Sequence, residues 1–141
     1  MFCEQPQYSS FTDKFHPCRR CWKCQKVKQS HWAYRLAQET YQAHKWKTWF
    51  CTLTFRSTLK PDTFSPSLTS FMKYLRTTLS RNFPENRLRY FAVLEHGSKT
   101  GRPHYHCLIW SSTPHLTKRL IHKAWPHGFS QGKLDRDWET P

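Results

Sequence analysis

The chain is organised around one stretch, residues 102–110, which reads RPHYHCLIW. Its apolar run indicates a β-strand, with two histidines two residues apart at the head of the run. Because successive side chains of a strand point to opposite faces, His104 and His106 are predicted to lie on one face, while Tyr105 and Cys107 point to the other. Two imidazoles in this arrangement are typical of the start of a metal site.

A second apolar run, residues 90–95 (YFAVLE), ends at Glu95 shortly before this strand. The segment between the runs, HGSKTG, contains the two glycines that a hairpin turn favours. If the two strands pair antiparallel, Glu95 faces the histidine pair across the ladder. The sequence therefore predicts that Glu95, His104 and His106 bind one divalent ion. The simpler alternative is a pair of strand histidines that only form hydrogen bonds at a sheet edge.

Composition limits the class of partner. The 141 residues include 23 Lys and Arg against nine Asp and Glu, a formal net charge of +14, and 16% are aromatic. Such a length suits one domain with a real core. The excess of positive charge indicates a polyanionic partner, and the aromatic side chains among the basic ones favour single-stranded nucleic acid over a membrane surface. A protein that is basic without a nucleic-acid partner is the plainer interpretation.

The cellular compartment is predicted from the lack of a membrane-spanning run and of a signal peptide in the sequence. No apolar run approaches the roughly 20 residues that cross a bilayer, so no membrane partner is expected. The N-terminus, MFCEQ, lacks the charged start and apolar centre of a signal peptide. We expect a cytoplasmic protein. Six cysteines in that compartment are more typical of thiols or metal ligands than of disulfides.

Three cysteines follow one another at two-residue gaps, Cys18, Cys21 and Cys24. This pattern fits half of a zinc site or part of an iron–sulfur motif, but the fourth cysteine of an iron–sulfur motif is missing at the right distance downstream. A structural Zn²⁺ with Cys3 or His16 as the fourth ligand is the better metal interpretation. Free thiols at the start of a helix fit the spacing equally well.

The remaining pattern predicts an α+β fold. An irregular arm over residues 1–17 precedes one domain, residues 18–141. Its predicted elements are a helix over 22–44, a strand over 49–55, a loop over 56–67, a helix over 68–81 capped by Ser67, strands over 88–95 and 104–110, a helix over 117–124 and a strand over 129–134. The last six elements form a split βαββαβ unit, an antiparallel sheet with its helices on one face and the metal ligands on the open face. Residues 135–141 are polar and look cut rather than capped.

These features resemble the HUH endonucleases, the rolling-circle replication initiators named for a His-hydrophobic-His motif. The motif is matched by residues 104–106, and residues 50–55 (FCTLTF) resemble the first strand motif of the family. The closer similarity is to the replication initiators of gokushovirus-type microviruses, which are single-stranded DNA phages. Their clustered cysteines before a Trp-Ala-x-Arg helix resemble residues 17–35 with Glu39, and their Glu-x-Gly and Arg-Pro-His-x-His segments resemble residues 95–97 and 102–106.

The resemblance implies site-specific nicking and strand transfer of single-stranded DNA at a replication origin, through a 5′-phosphotyrosine intermediate. It implies Mn²⁺ or Mg²⁺ at the Glu95, His104 and His106 site. The basic residues that we expect to contact DNA are Arg35, Arg56, Lys99 and Arg102. Arg102, stiffened by the proline that follows it, either contacts the scissile phosphate or braces the turn.

The chain departs from the family at the nucleophile, because no tyrosine follows Tyr105. Replication initiators carry their tyrosine on a helix after the histidine motif, so we expect the chain to stop before that helix and to bind metal and DNA without efficient cleavage. A permuted nucleophile is the alternative: Tyr41, one helical turn before Lys45, precedes the motif as in the relaxases.

Two interpretations without catalysis remain open. Split βαβ sheets also serve as single-strand-binding modules that stack bases on open-face aromatic residues, here Trp49, Tyr90, Phe91 and Trp110. The glycine-aromatic signature of those modules is absent. The second interpretation makes the cysteine cluster primary and the protein a zinc-dependent DNA-binding regulator, which explains the charge but gives the histidine pair no role.

Overall fold

The computed structural model describes residues 2–56 and 63–134. The chain forms two compact units, residues 1–42 and 43–141. The predicted boundary after residue 17 is therefore not where the compact units divide. The thiol of Cys3 lies 3.9 Å from that of Cys21 at the start of the first helix, which ties the N-terminal segment to that helix.

The N-terminal unit contains strands β1 (Gln7–Ser9) and β2 (Lys14–His16) and helix α1 (Trp22–Gln42). The strands pair antiparallel within the segment that the sequence predicted to be irregular, so that part of the prediction is wrong. Three-residue polar strands show too little alternation to be recognised, and what marks this pair is the contact of the Tyr8 and Phe15 rings, 5.4 Å apart. Helix α1 ends two residues earlier than predicted, and none of its side chains is buried.

The second unit has the predicted split βαββαβ order. Its elements are β3 (Lys47–Thr54), α2 (Phe64–Asn82), β4 (Leu88–His96), β5 (Pro103–Ser111), α3 (Lys118–Ala124) and β6 (Ser130–Leu134). The sheet order is β4-β5-β3-β6, and every neighbouring pair is antiparallel. The predicted α+β class and topology are confirmed.

Both helices of this unit cover one face of the sheet. Leu53, Cys107 and Ile109 on the central strands pack in one core with Leu75 of α2 and Ile121 of α3, and each of these side chains is at most 1% exposed. Alternation explains the pattern, because every second residue of β5 from Tyr105 to Ile109 enters this core. His104, His106 and Leu108, which alternate with these core residues, face away from the helices.

Helix α2 begins four residues before the predicted start. Thr63 is its N-cap residue, so Pro66 falls in the first turn. Backbone N–H groups of the first turn have no carbonyl partner within the helix, so the N–H that proline lacks costs no hydrogen bond there. The predicted cap, Ser67, lies inside the helix, where its hydroxyl donates to the carbonyl of Thr63 at 2.7 Å. Residues 57–62 of the predicted loop lie outside the described part of the chain. Helix α3 begins one residue after the predicted start, because Thr117 is its N-cap residue and its side chain accepts from the N–H of Leu120.

The turn between β4 and β5 sets the register of the hairpin. Gly101 has a φ of 66°, which glycine adopts without steric cost. The N–H of Gly97 donates to the carbonyl of Arg102 at 2.9 Å, and the N–H of Gly101 donates to the carbonyl of Gly97 at 2.8 Å. On the sheet face away from the helices, Thr48 and Trp110 at the end opposite the turn are buried, whereas Thr54, His104 and Glu95 nearest the turn are partly or fully exposed.

Among the described residues, no helix has the length and apolar character needed to cross a membrane.

Candidate functional site

Glu95, His104 and His106 converge at the turn end of the β4–β5 hairpin. Register places Glu95 directly opposite His104. The Oε2 atom of Glu95 lies 2.8 Å from Nε2 of His106 and 3.3 Å from Nε2 of His104, and the two Nε2 atoms are 3.1 Å apart. The structure thus brings together all three residues that the sequence predicted as one ligand set.

The outer nitrogens of both rings have partners that orient the inner ones. Nδ1 of His104 lies 3.3 Å from the carbonyl of Arg102, which can only accept, so this nitrogen carries the hydrogen. In the neutral ring, Nε2 then presents a lone pair to the centre. Nδ1 of His106 lies 3.3 Å from the hydroxyl of Thr52, its cross-strand partner on β3. Hydrogen bonds of this kind fix the tautomer and orientation of metal-binding histidines.

The donor set fits a divalent ion. Ligands about 2.1 Å from a metal and at right angles to one another are about 3 Å apart, and the three donor atoms are separated by 2.8 to 3.3 Å. When no cation is bound, a neutral His106 can instead donate from Nε2 to Oε2 of Glu95, which lies 2.8 Å away. The side chains of His104, His106 and Glu95 are 19%, 35% and 60% exposed, so solvent and substrate reach the site. Two nitrogens and one oxygen leave coordination positions open.

A small surface cavity borders the triad on the same open face. Its volume is about 390 Å³ and its lining residues are Phe50, Thr52, Gln131 and Lys133. The Phe50 ring is stacked on that of His106, with centroids 5.6 Å apart and planes 19° apart. Sequence reasoning missed these neighbours. The pairing of Thr52 with His106, and of Gln131 with Thr52, would have revealed them once the strand order was known.

The four basic residues predicted to contact DNA are divided between the two units. Lys99 and Arg102 are exposed in the turn beside the triad, and Arg56 is exposed just after β3, where its N–H donates to the carbonyl of His127 at 2.8 Å. These three belong to the second unit. Arg35 lies on α1 in the N-terminal unit.

The permuted pair Tyr41 and Lys45 is not one helical turn apart. Helix α1 ends at Gln42, and Lys45 lies in the turn that follows, so the predicted helical pairing is wrong. Tyr105 is also unsuited as a nucleophile: it points into the core, and burial raises the pKa of its hydroxyl. The expectation that it faces away from both histidines is confirmed.

The predicted stacking face lacks most of its aromatic residues. Trp49 belongs to the helix-covered core and Trp110 is only 2% exposed. Tyr90 faces the helix side, because alternation along β4 puts it on the side opposite Glu95. Trp110 lies on the same face as the triad but is buried, so Phe91 is the only one of the four residues predicted to stack on bases that keeps a partly exposed ring on the open face.

The four cysteines of the N-terminal unit also converge. Their Sγ atoms all lie within 4.8 Å of one another. Cys3 and Cys21 are 3.9 Å apart and Cys18 and Cys24 are 4.0 Å apart, close to the roughly 3.8 Å edge of a tetrahedron with Zn–S bonds of about 2.3 Å. The structure thus selects Cys3 as the fourth member. His16 is bonded instead to the hydroxyl of Thr12 at 2.6 Å.

Backbone N–H groups surround these thiols. The N–H groups of Arg20 and Cys21 donate to Sγ of Cys18, at 3.4 and 3.2 Å, because Arg19 adopts a φ of 60° that turns the chain around the sulfur. They lower the pKa of Cys18, and N–H donors from Cys24 and Glu4 lower the pKa of Cys21 to about 6. Burial, helped by the neighbouring thiols, raises the pKa of Cys24 to about 12. A cation is needed before all four become thiolates.

Comparison with known proteins assigns the family. A family model that describes replication-associated proteins of the ORF2 type matches residues 48–137, more than half of the chain. The chain belongs to this family. The matched residues contain all three members of the triad. Membership in the ORF2 replication-associated family confirms the coarser part of the predicted resemblance, a relation to phage replication proteins.

Two curated relatives of this ORF2-family chain come from bacterial viruses. The chain is 28% identical over 131 residues to Replication-associated protein ORF2 of Spiroplasma virus 4, covering 87% of itself and 40% of that protein. It is 32% identical over 135 residues to Replication-associated protein VP4 of Bdellovibrio phage phiMH2K, covering 79% of itself and 41% of the relative. The chain therefore spans about two fifths of the length of these relatives.

A solved structure shares the fold. The crystal structure of the hypothetical protein ORF119 from Sulfolobus islandicus rod-shaped virus 1 superposes with a TM-score of 0.51 at 20% identity, over 71% of this chain and 78% of that one. At this identity the likeness establishes the fold alone, and it supports the α+β architecture described above.

Proposed function

We propose that this chain is the metal-binding and DNA-binding part of an HUH-type rolling-circle replication initiator of the gokushovirus kind, which nicks single-stranded DNA at an origin. The observation that carries the proposal is the convergence of two imidazole nitrogens and one carboxylate oxygen on the open face of the sheet. Family membership supplies the replication context.

Glu95, His104 and His106 would hold Mn²⁺ or Mg²⁺. Two nitrogen ligands favour Mn²⁺, whereas the abundance of Mg²⁺ in cells favours that ion. Bound there, the ion would polarise and orient the scissile phosphoryl group. The chain's own contribution is to keep the two Nε2 atoms aimed inward through the Arg102 carbonyl and the Thr52 hydroxyl.

Basic side chains near the triad would hold the DNA backbone. Lys99 and Arg102 flank the site in the turn, and Arg56 follows the strand whose residue Thr54 pairs with His104. A planar guanidinium suits two phosphate oxygens at once, so we assign Arg102 and Arg56 to phosphates next to the scissile one.

The nucleophile in this proposal is a tyrosine. Its hydroxyl attacks the phosphorus, the bond from phosphorus to the 3′ oxygen breaks, and the proton passes overall to that oxygen, leaving a free 3′-OH and a 5′-phosphotyrosine. In the second unit, Tyr90 and Tyr105 lie on the helix side of the sheet and Tyr74 lies on α2. We therefore assign this role to a tyrosine outside the 141 residues, with Tyr41 as the less favoured candidate.

For the N-terminal unit we propose a structural Zn²⁺ held by Cys3, Cys18, Cys21 and Cys24. The near-tetrahedral sulfur distances and the N–H donors support it. A zinc-dependent DNA-binding regulator, the competing function, would need this site alone. A zinc-dependent regulator would not explain why the carboxylate of Glu95 lies 2.8 Å from Nε2 of His106, or why Nδ1 of the same ring is hydrogen-bonded to Thr52.

Affinity cleavage tests the nickase proposal without needing the tyrosine. Fe²⁺ is loaded in place of Mn²⁺, single-stranded origin DNA is bound, and peroxide generates hydroxyl radicals at the metal. We expect cuts clustered at one position of the strand, and we expect His104→Ala and Glu95→Gln to abolish them. His122→Ala, which removes an exposed histidine on α3, is the matched control. Cuts that persist unchanged in His104→Ala would refute the triad as the metal centre.

A further inference from the structure

A groove along α1 forms a cavity of about 700 Å³ that lies entirely within the N-terminal unit. Phe2, Lys23, Val27, Lys28, Trp32 and Arg35 are six of its lining residues, and we call it the α1 groove. The helical members recur at steps of one to four residues along consecutive turns, so they share one side of the helix. This side lies in a different compact unit from the triad.

The α1 groove is lined by both apolar and cationic side chains. Val27 and Trp32 are 41% and 36% exposed, and Phe2 is 71% exposed. Among the described residues that line the groove, four are Lys or Arg and none is Asp or Glu. Exposed aromatic rings beside cations, without acidic groups, are the composition that single-stranded nucleic acid requires: bases stack on rings and phosphates meet cations.

Two cations of the groove already lie within cation–π distance of its aromatic rings. The guanidinium of Arg35 is 4.4 Å from the centre of the Trp32 ring, and the ammonium of Lys23 is 5.7 Å from that of Phe2. A base stacked on either ring would therefore have a cation beside its phosphate. An acidic peptide would satisfy the cations but would not use the aromatic rings for stacking, so the combination favours DNA over protein.

The cysteine cluster positions one wall of the groove. Cys3 follows Phe2 directly, and its sulfur accepts from the N–H of Cys18 at 3.2 Å and lies 3.9 Å from the sulfur of Cys21. Cys3 and Cys24 themselves line the groove. Four thiolates around one Zn²⁺ carry a net negative charge, so phosphates are expected towards the far end, near Lys28 and Arg35.

We propose that the α1 groove is a second single-stranded DNA site, which binds the strand through a few stacked bases and their phosphates independently of the triad metal. The proposal rests on the proposed function only in taking single-stranded DNA as the partner. Its consequence is that the protein holds the strand at two places, one in each compact unit.

The test measures fluorescence anisotropy of labelled oligo-dT, about twelve nucleotides long, with the full zinc-loaded chain at low salt and without Mn²⁺ or Mg²⁺. Lys28→Glu with Arg35→Glu should weaken binding by roughly a hundredfold, because two phosphate contacts become repulsive. Lys14→Glu with Lys26→Glu makes the same charge change on the same unit outside the lining residues, and should weaken binding by only about threefold. Lys23 is left unchanged because it is paired with Glu4.

Stacking is tested separately. Trp32→Ala should lower affinity for oligo-dT roughly tenfold and leave affinity for an abasic strand with the same phosphates unchanged, while Trp32→Phe retains binding. Zinc content and helical circular dichroism verify that each variant is folded. Equal losses in both charge-reversed pairs, or equal effects on dT and abasic strands, would overturn the proposal.

Two further experiments test whether the partner is nucleic acid or protein and whether the binding site is the α1 groove. An acidic peptide of equal charge that displaces oligo-dT at equal concentration would assign the α1 groove to a protein partner instead. Because the assay contains no Mn²⁺ or Mg²⁺, failure of the triad as a metal centre and failure of the groove are separate outcomes. His122→Ala, which removes an exposed histidine of the second unit, should leave oligo-dT binding unaltered. Loss of oligo-dT binding in that variant would contradict the groove as the site.

Discussion

The six cysteines divide between two regions that treat the same side chain in opposite ways. In the N-terminal unit, backbone N–H groups lower the pKa of Cys18 and Cys21, and the four sulfurs gather around one point. In the second unit, Cys51 and Cys107 face each other across β3 and β5 in the core, and burial raises the pKa of both. The N-terminal unit thus favours thiolates at two of its four cysteines, whereas burial favours the neutral thiol at both cysteines of the second unit.

This contrast reflects two sources of stability. None of the described residues 2–42 is buried, whereas the second unit buries a continuous apolar core between sheet and helices. A segment of about 40 residues without an apolar core needs a metal or disulfides to fold. We therefore expect the N-terminal unit to depend on its metal and the second unit to depend on apolar burial.

Metal removal should produce the largest effect. Helix α1 has 21 residues against 19 in α2 and seven in α3, so chelation of zinc should remove nearly half of the helical circular dichroism, since structural zinc binding contributes about 10–16 kcal/mol to folding. Cys21→Ser should do the same, while Cys51→Ala should leave the zinc content unchanged. Undiminished helical signal after complete chelation would break the distinction between the units.

A core truncation should affect only the second unit. Leu53 is fully buried, so Leu53→Ala should lower the free energy of unfolding by about 2–5 kcal/mol. Leu94→Ala removes the same atoms from a side chain that is 36% exposed, and should cost less than about 1 kcal/mol. Urea unfolding followed by tryptophan fluorescence gives both values. A change in zinc content of either variant would show that the units are coupled.

The hydroxyl of Thr52 should matter to metal affinity and little to folding. Thr52→Val removes the partner of Nδ1 of His106, so Mn²⁺ affinity should fall by about tenfold or more. Thr52→Ser keeps the hydroxyl and should restore the affinity. Thr54→Val, two residues along the same face, is the matched control. Titration monitored by electron paramagnetic resonance measures each affinity, and equal values for the two valine variants would contradict the assigned role.

Alkaline pH should weaken the second unit through its buried thiols. Burial raises the pKa of Cys107 to about 12 and that of Cys51 further, whereas an unfolded thiol has a pKa of about 8.5. Both states are protonated below that value. Above it only the unfolded chain loses protons, so each thiol should lower the free energy of unfolding by about 1.4 kcal/mol per pH unit.

The measurement for this effect is urea unfolding from about pH 8 to about pH 10. Cys107→Ala should reduce the slope by about the amount of one thiol, and an unchanged slope would show that the thiol is not neutral in the fold.

The fold of the second unit could be predicted because it depends on sequence patterns within short segments, such as alternation along a strand and glycines in a turn. Alternation along β5 identified the core residues Tyr105, Cys107 and Ile109, and the glycines at 97 and 101 identified the hairpin that brings Glu95 to the histidines. A hairpin with one buried face permits only one register, so the pairing of ligands follows directly from the pattern.

What escaped prediction depends on contacts between distant parts of the chain. Thr52 is 54 residues from His106 in sequence and meets it only because β3 lies beside β5. The choice of Cys3 over His16 depended on contacts of Cys3 with Cys18 and Cys21, which are 15 and 18 residues away, and spacing alone does not reveal them. Trp49 was misplaced because its aromatic character suited stacking, whereas its position in the alternation of β3 put it in the core.

A single hairpin carries the whole ligand triad, since Glu95 lies on β4 and both histidines lie on β5. A short hairpin closes in roughly 1–10 μs, long before strands joined by a helix usually meet. The ligand set can therefore assemble before β3 and β6 join the sheet, and an ion captured at that stage would act as a folding template. Substitutions in the turn would then alter the order of folding events as well as the finished metal centre.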